Sequence, residues 1–271
     1  MSKLEVLCAT MHQKDFSKIR EMNIHTDVVF ANQADTTKFE EYHFDGHWAR
    51  MITTNTRGVG INRNFALSYA QGEICLFADD DVVYEDDMET KILSEFETHP
   101  DADIIIFQFD TNSDRKVKKP QKTRTCSRFT RMPWGTFRVA FRLKELKKAN
   151  IWFTTLFGGG CLFPSGEDSL WLIEARRKGL TIYVSEKTIG TVTHETSTWF
   201  TGYDENYYFA RGAFYQGARP KLIHFWMHYF ALRTRGWGKL SYSEKMKWLR
   251  LGAKGYRKGL GFEAFREPQA K

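Results

Sequence analysis

An uncharged run at residues 74–78 is followed directly by three aspartates, and this pairing constrains the fold more than any other feature of the chain. A strand without polar alternation is buried on both faces, as in a parallel sheet covered by helices on both sides. Three adjacent carboxylates repel one another unless a cation or solvent compensates them. Because ligands in open α/β sheets gather at the carboxyl ends of strands, Asp79, Asp80 and Asp81 indicate a metal–nucleotide site. An exposed acidic turn is the alternative.

Segments typical of strands and helices alternate through the first 110 residues. This alternation predicts an α/β fold with a mixed, mostly parallel central sheet flanked by helices. Strands are predicted at residues 4–9, 27–31, 50–54, 74–78, 104–107, 181–184 and 189–193, and helices at 58–70 and 86–97.

Length and composition favour a globular intracellular protein. The 271 residues, 42% of them hydrophobic, suffice for one large domain or one domain with an appendage. No apolar run reaches the roughly 18 residues of a membrane span, and the first residues lack an export signal. The four cysteines show no Cys-x-x-Cys spacing, which suits free thiols in a reducing cytoplasm. We therefore expect a cytoplasmic location.

Positive charge is concentrated at the C-terminal end. Residues 211–271 hold fourteen Lys and Arg against three Asp and Glu, so the first 210 residues carry a net −4 while the whole chain carries +7. We predict a catalytic domain at 1–210 and a basic, aromatic helical extension at 211–271. A basic extension indicates an anionic partner.

The extension contains an uncharged aromatic segment at residues 222–232. Eleven residues are too few to cross a bilayer, but aromatic side chains flanked by Lys and Arg are typical of an interfacial helix. One interpretation is contact of residues 219–258 with the anionic inner face of the cell membrane. The alternative is a helical pair that packs these aromatic residues against the catalytic domain.

A glycine-rich segment, 158–160, precedes a predicted helix that ends near Lys178. Glycines let a backbone approach a ligand closely. Ser165 is the expected N-cap, which gives Asp168 capping-box spacing. The positive helix end also favours an ionised carboxylate, so Asp168 is a candidate general base. Capping and catalysis are compatible at this position.

Three further basic features of the chain have two interpretations each. Arg63, on the predicted helix at 58–70, is either a nucleotide-base contact or a surface arginine. The basic segment 110–133 is either a lid over a diphosphate or a solvated loop. His194, just beyond the strand at 189–193, either completes a carboxylate metal site or is structural.

The order of these signals resembles a bacterial family 2 glycosyltransferase, an inverting enzyme of the GT-A fold, over roughly residues 3–215. Residues 77–81 resemble its Asp-x-Asp motif, residues 166–168 its Glu-Asp acceptor motif, and residues 192–194 its later histidine. The resemblance implies a nucleotide-sugar half at about 1–110 and an acceptor half at about 134–210.

The resemblance also implies a reaction and roles. A sugar would pass from a nucleoside-diphosphate sugar, with a UDP-sugar as the expected donor, to a hydroxyl of a glycan or lipid-linked glycan. Asp168 would be the base, and Asp81 with His194 would hold Mn²⁺ or Mg²⁺. The implied donor-binding residues are Thr10, Asn32, Gln33, Arg63, Asp79 and Asp80, with Asp80 as a spacer in the motif; the implied acceptor-binding residues are Gly159, Gly160, Glu167 and Trp171.

Two other classes of protein compete with this interpretation. A metal-dependent nucleotidyltransferase would share the carboxylates but would not need the glycine-rich segment and its helix. A nucleic-acid-binding protein would explain the basic extension but leave the acidic triplet unexplained, so no nucleic-acid partner is expected. The sugar, the acceptor, the linkage and the oligomeric state stay open, because residue order does not encode them.

Overall fold

A computed structural model describes residues 3–111, 119–127, 130, 132–193 and 202–266. Within these residues, ten strands form one sheet with helices on both faces. The strands are β1 (Leu4–Met11), β2 (Asp27–Gln33), β3 (Lys38–Phe44), β4 (His47–Thr54), β5 (Ile74–Asp79), β6 (Val82–Tyr84), β7 (Ile104–Thr111), β8 (Arg124–Thr125), β9 (Val139–Arg142) and β10 (Ile182–Val192). The helices are α1 (Lys18–Glu21), α2 (Val59–Tyr69), α3 (Met88–Thr98), α4 (Leu143–Lys148), α5 (Glu167–Arg177), α6 (Glu205–Ala218), α7 (Ile223–Arg233) and α8 (Tyr242–Lys258).

The sheet is mixed, as predicted. Its order is β3-β4-β2-β1-β5-β9-β7-β10-β6, with β8 paired to β10. Strands β4, β2, β1 and β5 are parallel neighbours, whereas β9 runs antiparallel between β5 and β7. Among the described strands, three of the four parallel pairs therefore belong to the N-terminal half, and the fourth joins β7 to β10. In the N-terminal half the carboxyl ends of β2, β1 and β5 lie side by side.

The uncharged part of β5, residues 74–78, contributes side chains to two hydrophobic cores. Leu76 lies in the cluster under α3, and its neighbour Phe77 lies in the cluster under α2 and α5. Both side chains are buried. A strand covered on both faces needs no polar alternation, so the prediction of a buried strand is confirmed.

Four strands, β3, β6, β8 and β9, were not predicted, and one strand was predicted as two. β3 is an edge strand whose side chains are mostly exposed, so it lacks the apolar run that reveals a buried strand. β9 has only four residues. The separate strands expected at 181–184 and 189–193 are one strand, β10, whose pairing with β7 shifts register between Val184 and Thr188.

The C-terminal helices form a third core together with Phe157 and Phe163, which flank the glycine-rich segment. α6 packs closely on α8, because Gly212 and Gly252 bring the two backbones together: a β-carbon on Gly252 would lie 1.8 Å from the Phe209 carbonyl oxygen. The predicted boundary between residues 210 and 211 falls inside α6, which begins at Glu205. Among the described residues, no helix is both long and apolar enough to cross a membrane.

Candidate functional site

The candidate site lies where β1 and β5 end. In the parallel pairing of these strands, Ala9 is opposite Asp79, which places Thr10 beside the acidic triplet. The Thr10 hydroxyl donates a 2.5 Å hydrogen bond to Asp80 Oδ2. Asp80 therefore takes part in the site and does not only separate Asp79 from Asp81. Thr10 is buried and contributes by holding the Asp80 carboxylate. The side chain of Asp79 is 33% exposed at the mouth of the site.

Arg63 connects this strand edge to α5. Its Nη2 lies 2.8 Å from Asp79 Oδ1, and its Nη1 lies 2.7 Å from Asp168 Oδ1 and 3.4 Å from Glu167 Oε1. The guanidinium also packs against the ring of Phe153, 5.5 Å from the ring centre. One cation thus joins carboxylates that are about ninety residues apart in the chain.

This placement decides one of the two interpretations of Arg63. The side chain is 5% exposed, so Arg63 is not a surface arginine. Its two terminal nitrogens donate to carboxylates, which gives Arg63 a bridging position, and the nucleoside contact stays a prediction. Burial opposes the positive charge, but Asp79, Asp168 and Glu167 outweigh it and raise the pKa of Arg63 above its usual range.

Asp168 lies in the first turn of α5. The helix is capped by Gly166, whose φ of +120° is unfavourable for other residues, so the prediction of Ser165 as N-cap is wrong. Asp168 Oδ1 accepts hydrogen bonds from Arg63 and from the Thr136 hydroxyl. Among the described residues, nothing donates to Oδ2, and the side chain is 28% exposed. The Asp168 side chain is thus held at one oxygen, and its other oxygen is left for an incoming hydroxyl.

Glu167 is the more buried carboxylate of the pair. Its Oε2 accepts a 3.0 Å hydrogen bond from the backbone amide of Gly166, and its side chain is 12% exposed. Burial, and next the negative charge of Asp168, raise its pKa to about 7, while Arg63 opposes the shift. Glu167 is thus a proton-holding group at the edge of the site.

A pH-dependent stability is expected from Glu167. An unfolded glutamate titrates near 4.5, so between about pH 4.5 and 7 the folded chain holds a proton that the unfolded chain has lost. The free energy of unfolding should therefore fall as pH rises through this window, by up to about 3 kcal/mol. Glu167→Gln removes this group and should flatten the profile. Thermal unfolding of both proteins from pH 5 to 8 measures the difference, and parallel profiles would contradict the assignment.

The predicted nucleoside contacts Asn32 and Gln33 turn inward. Asn32 is fully buried; its side-chain amide donates to the Gln13 carbonyl at 3.0 Å and its oxygen accepts from the Gln13 amide at 3.0 Å. Gln33 donates to the Gly58 carbonyl at 3.2 Å. We revise their role accordingly: they fix the loops that follow β1 and precede α2 rather than offering free amides to a base.

The remaining acidic residue, Asp81, is held through its backbone. Its carbonyl accepts from the Thr193 amide at 2.9 Å and from the Thr193 hydroxyl at 2.7 Å. The predicted partner His194 lies outside the described residues. In the described part of the chain, no group of three or more Asp, Glu, His or Cys side chains forms a metal cage. The site suits Mn²⁺ or Mg²⁺ held by one or two carboxylates and substrate phosphates, since Arg63 and Thr10 engage only one oxygen each of Asp79 and Asp80.

The predicted acceptor-binding residues lie in different environments. Gly159 accepts a 3.0 Å hydrogen bond from the Val59 amide, so the glycine-rich segment packs on the start of α2, with Gly160 exposed beside it. Trp171 is 2% exposed and stacks on Phe153, with ring centres 5.4 Å apart. A ring this buried has no face for an acceptor, so the prediction for Trp171 is corrected to a core role.

Three residues near the site were missed by the sequence analysis. Lys18 donates to the Asp80 carbonyl at 3.1 Å, which places a cation beside the acidic triplet. His12, just after β1, is exposed with φ of +56°, an uncommon conformation that is found at binding sites. Thr136 orients Asp168. The only sequence signal for His12 is its position just after a predicted strand. No local sequence signal marks Lys18 or Thr136.

The described part of the basic segment 110–133 lies along the sheet. Lys119 pairs with Asp110 at 2.5 Å and donates to Thr188 at 2.8 Å, and β8 pairs with β10. These contacts do not place it over the acidic triplet. Residues 112–118, 128, 129 and 131 lie outside the described ranges.

The sequence matches the model of the family described as "Glycosyl transferase family 2" over residues 28–163, half of the chain. The chain belongs to glycosyl transferase family 2. It is therefore a glycosyltransferase, which decides against the nucleotidyltransferase alternative. No curated protein sequence matches the chain.

Solved structures of S. aureus TarS support the fold. The chain is similar to S. aureus TarS 1–349, with 17% identity, a TM-score of 0.57, and coverage of 96% of this chain and 93% of that one. The same protein in complex with UDP-GlcNAc gives 16% identity, a TM-score of 0.57 and the same coverage, and its complex with UDP gives 18%, 0.54, and 98% and 76%. At these identities the likeness shows the fold, and the predicted GT-A fold is confirmed.

Proposed function

We propose that this family 2 glycosyltransferase transfers a sugar from a UDP-sugar to a hydroxyl group of a glycan or lipid-linked glycan, with inversion. The observation that carries the proposal is the Arg63 bridge, which holds the donor-side acid Asp79 and the candidate base Asp168 on one guanidinium. Support for uridine comes from the S. aureus TarS structures, which were solved with UDP-GlcNAc and with UDP.

The chemistry follows from the oxygen atoms of Asp168. Oδ2 takes the proton of the acceptor hydroxyl as the hydroxyl oxygen attacks the anomeric carbon from the side opposite the diphosphate. The bond to the diphosphate breaks as the new glycosidic bond forms, so the configuration inverts. Arg63 and Thr136 keep Asp168 oriented through Oδ1. A Mn²⁺ or Mg²⁺ ion held by Asp81 would supply positive charge for the leaving diphosphate.

A donor panel tests this function. UDP-, GDP- and dTDP-sugars are incubated with the full chain, and the release of free nucleotide is measured with and without a glycan acceptor. Release from one or more UDP-sugars is the expected result. Release from only GDP- or dTDP-sugars would overturn the choice of uridine, and release from none would overturn the proposal.

Asp81→Asn is expected to remove metal-dependent donor binding. Loss of a charged ligand should weaken UDP binding in the presence of Mn²⁺ by at least about tenfold, because even outer-shell changes cost 10–100-fold. Calorimetric titration of UDP with and without Mn²⁺ measures the effect. Asp101→Asn, a surface change beside Tyr183, is the matched control. Equal affinities of Asp81→Asn and wild type in Mn²⁺ would remove Asp81 from the metal site.

We also propose that peripheral membrane contact is confined to α7. The alternative, packing of these aromatic residues against the protein, has support on the inner face of α7, where Met227 and Phe230 join the third core. On α7 and the turn before it, Leu222, Phe225 and Leu232 recur at helical spacing and are exposed. Lys221, Arg233 and Arg235 flank them, which suits an anionic lipid surface.

Replacing both Phe225 and Leu232 by Ser should abolish sedimentation with vesicles that contain phosphatidylglycerol. The apolar stripe supplies the insertion energy, and the flanking charges alone give only weak attraction. Phe39→Ser, on the exposed edge strand β3, is the matched control and should not change sedimentation. Binding that is indifferent to anionic lipid, or unaltered in the double variant, would count against attachment through α7.

A further inference from the structure

A cleft of about 440 Å³ lies between the catalytic domain and the C-terminal helices. One wall comes from α5 and the segment before Thr136, and the other comes from α6 and α7. The volume suits a sugar unit or two. Its lining combines aromatic rings with guanidinium groups, chiefly Phe214, Tyr215, Trp226, Arg176, Arg211 and Arg219.

The charge of this cleft is uncompensated. Its lining contains no Asp or Glu, and among the described residues no carboxylate lies within 4 Å of Arg176, Arg211 or Arg219. Burial is the main cause that lowers the pKa of Arg176, and the positive charge of nearby Arg219 adds to it. Cations gathered without acidic partners stabilise a bound anion.

Unused hydrogen-bond donors point to the same conclusion. Arg211 Nε and Trp226 Nε1 are buried and have no hydrogen-bond partner among the described residues. Such atoms cost free energy unless water or a ligand satisfies them. The ring centre of Trp226 lies 6.3 Å from that of Tyr215 and 5.7 Å from the guanidinium carbon of Arg219. Rigid aromatic faces of this kind offer packing surfaces for sugar rings.

The cleft adjoins the candidate base. Ser169, which lines the cleft, follows Asp168 in the first turn of α5, and neighbouring helical residues point about 100° apart. Phe214, on the opposite wall, packs so close to Gly166 that a β-carbon there would lie 2.9 Å from its ring. A chain lying in the cleft would reach Asp168 by passing around one turn of helix.

We propose that this cleft binds an anionic glycan, one that carries phosphate or carboxylate groups, and leads its acceptor end to Asp168. The proposal deepens the proposed function, on which it rests, by naming the chemical class of the acceptor. A lipid surface is the less suitable occupant, because a bilayer contacts the outward stripe of α7 and cannot enter a cleft of this size.

Binding of soluble glycans to the full chain tests the proposal. Phosphomannan and oligogalacturonate are the anionic probes, mannan freed of phosphate is the neutral one, and binding is measured without donor. We expect at least one anionic probe to bind about tenfold or more tightly than neutral mannan. The double variant Arg211→Gln, Arg219→Gln should lose about tenfold or more of that affinity. Arg250→Gln, on the exposed face of α8, is the charge-matched control and should bind as wild type does.

Each outcome separates the hypotheses. Equal binding of anionic and neutral glycans, or unchanged binding in the double variant, overturns the proposal. Loss of vesicle binding in that variant, with no glycan binding by wild type, assigns the arginines to lipid instead. If the double variant is too unstable to be measured, glycan binding is compared between wild type and the single variant Arg219→Gln. Release of UDP from UDP-sugars is measured in parallel, with and without the glycan probes as acceptors. Its absence from every reaction of wild type refutes the proposed function, whereas its presence with no anionic preference refutes only this inference.

Discussion

Asp168→Asn is expected to lower sugar transfer by about 10²–10⁴-fold while donor affinity changes little. The asparagine oxygen can still accept from Arg63 and Thr136, so the side chain should keep its position. An amide nitrogen then replaces Oδ2 and cannot take a proton. Steady-state transfer rates and calorimetric UDP binding, measured on the same preparation, separate the two effects.

Glu167→Gln is the matched control for this experiment. Glu167 is the adjacent carboxylate, and its pKa of about 7 suits a general base, but it is the more buried of the two and its Oε2 is bonded to the Gly166 amide. We therefore expect Glu167→Gln to keep most of the transfer rate. If Asp168→Asn turns over almost normally while Glu167→Gln does not, the base is Glu167 and the exposed oxygen of Asp168 has another use.

The location of the site could be predicted because it depends on local sequence. An uncharged strand that ends in acids indicates both a doubly covered sheet and a functional strand end. The structure confirms the strand as β5 and brings Thr10 to the same edge through parallel pairing. Order along the chain was enough for this step, because parallel strands place their carboxyl ends together.

The partners within the site could not be predicted, because they depend on contacts between distant segments. Nothing in the sequence around Arg63 indicates that it meets Asp168, 105 residues later. Trp171 was misassigned for a related reason: an aromatic residue beside a catalytic motif has the same local pattern whether it faces a ligand or the core. Only the packing of α5 on the sheet decides between these possibilities.

Arg63→Met is expected to destabilise the fold and abolish transfer. Removal of a buried cation leaves Asp79, Glu167 and Asp168 without their shared partner, and an uncompensated buried charge costs about 3–5 kcal/mol. Arg57→Met, at an exposed arginine paired with Asp35, is the control and should change stability little. Thermal unfolding and transfer rates of both variants provide the comparison. A stability loss no larger than that of Arg57→Met would show that the bridge contributes little.

A purely structural role for Arg63 is separated from electrostatic bridging by Arg63→Lys and by a double variant. Lysine keeps the charge but not the planar fork that reaches Asp79 and Asp168 at once, so it should restore part of the stability and little of the transfer.

Arg63 opposes the raised pKa of Glu167, so its loss should move the pH-dependent fall in stability to higher pH. Adding Glu167→Gln to Arg63→Met removes one of the unpaired carboxylates and should recover stability beyond the sum of the single effects. Strict additivity would instead mean that Arg63 stabilises the fold through its packing on Phe153 and not through the carboxylates that it joins.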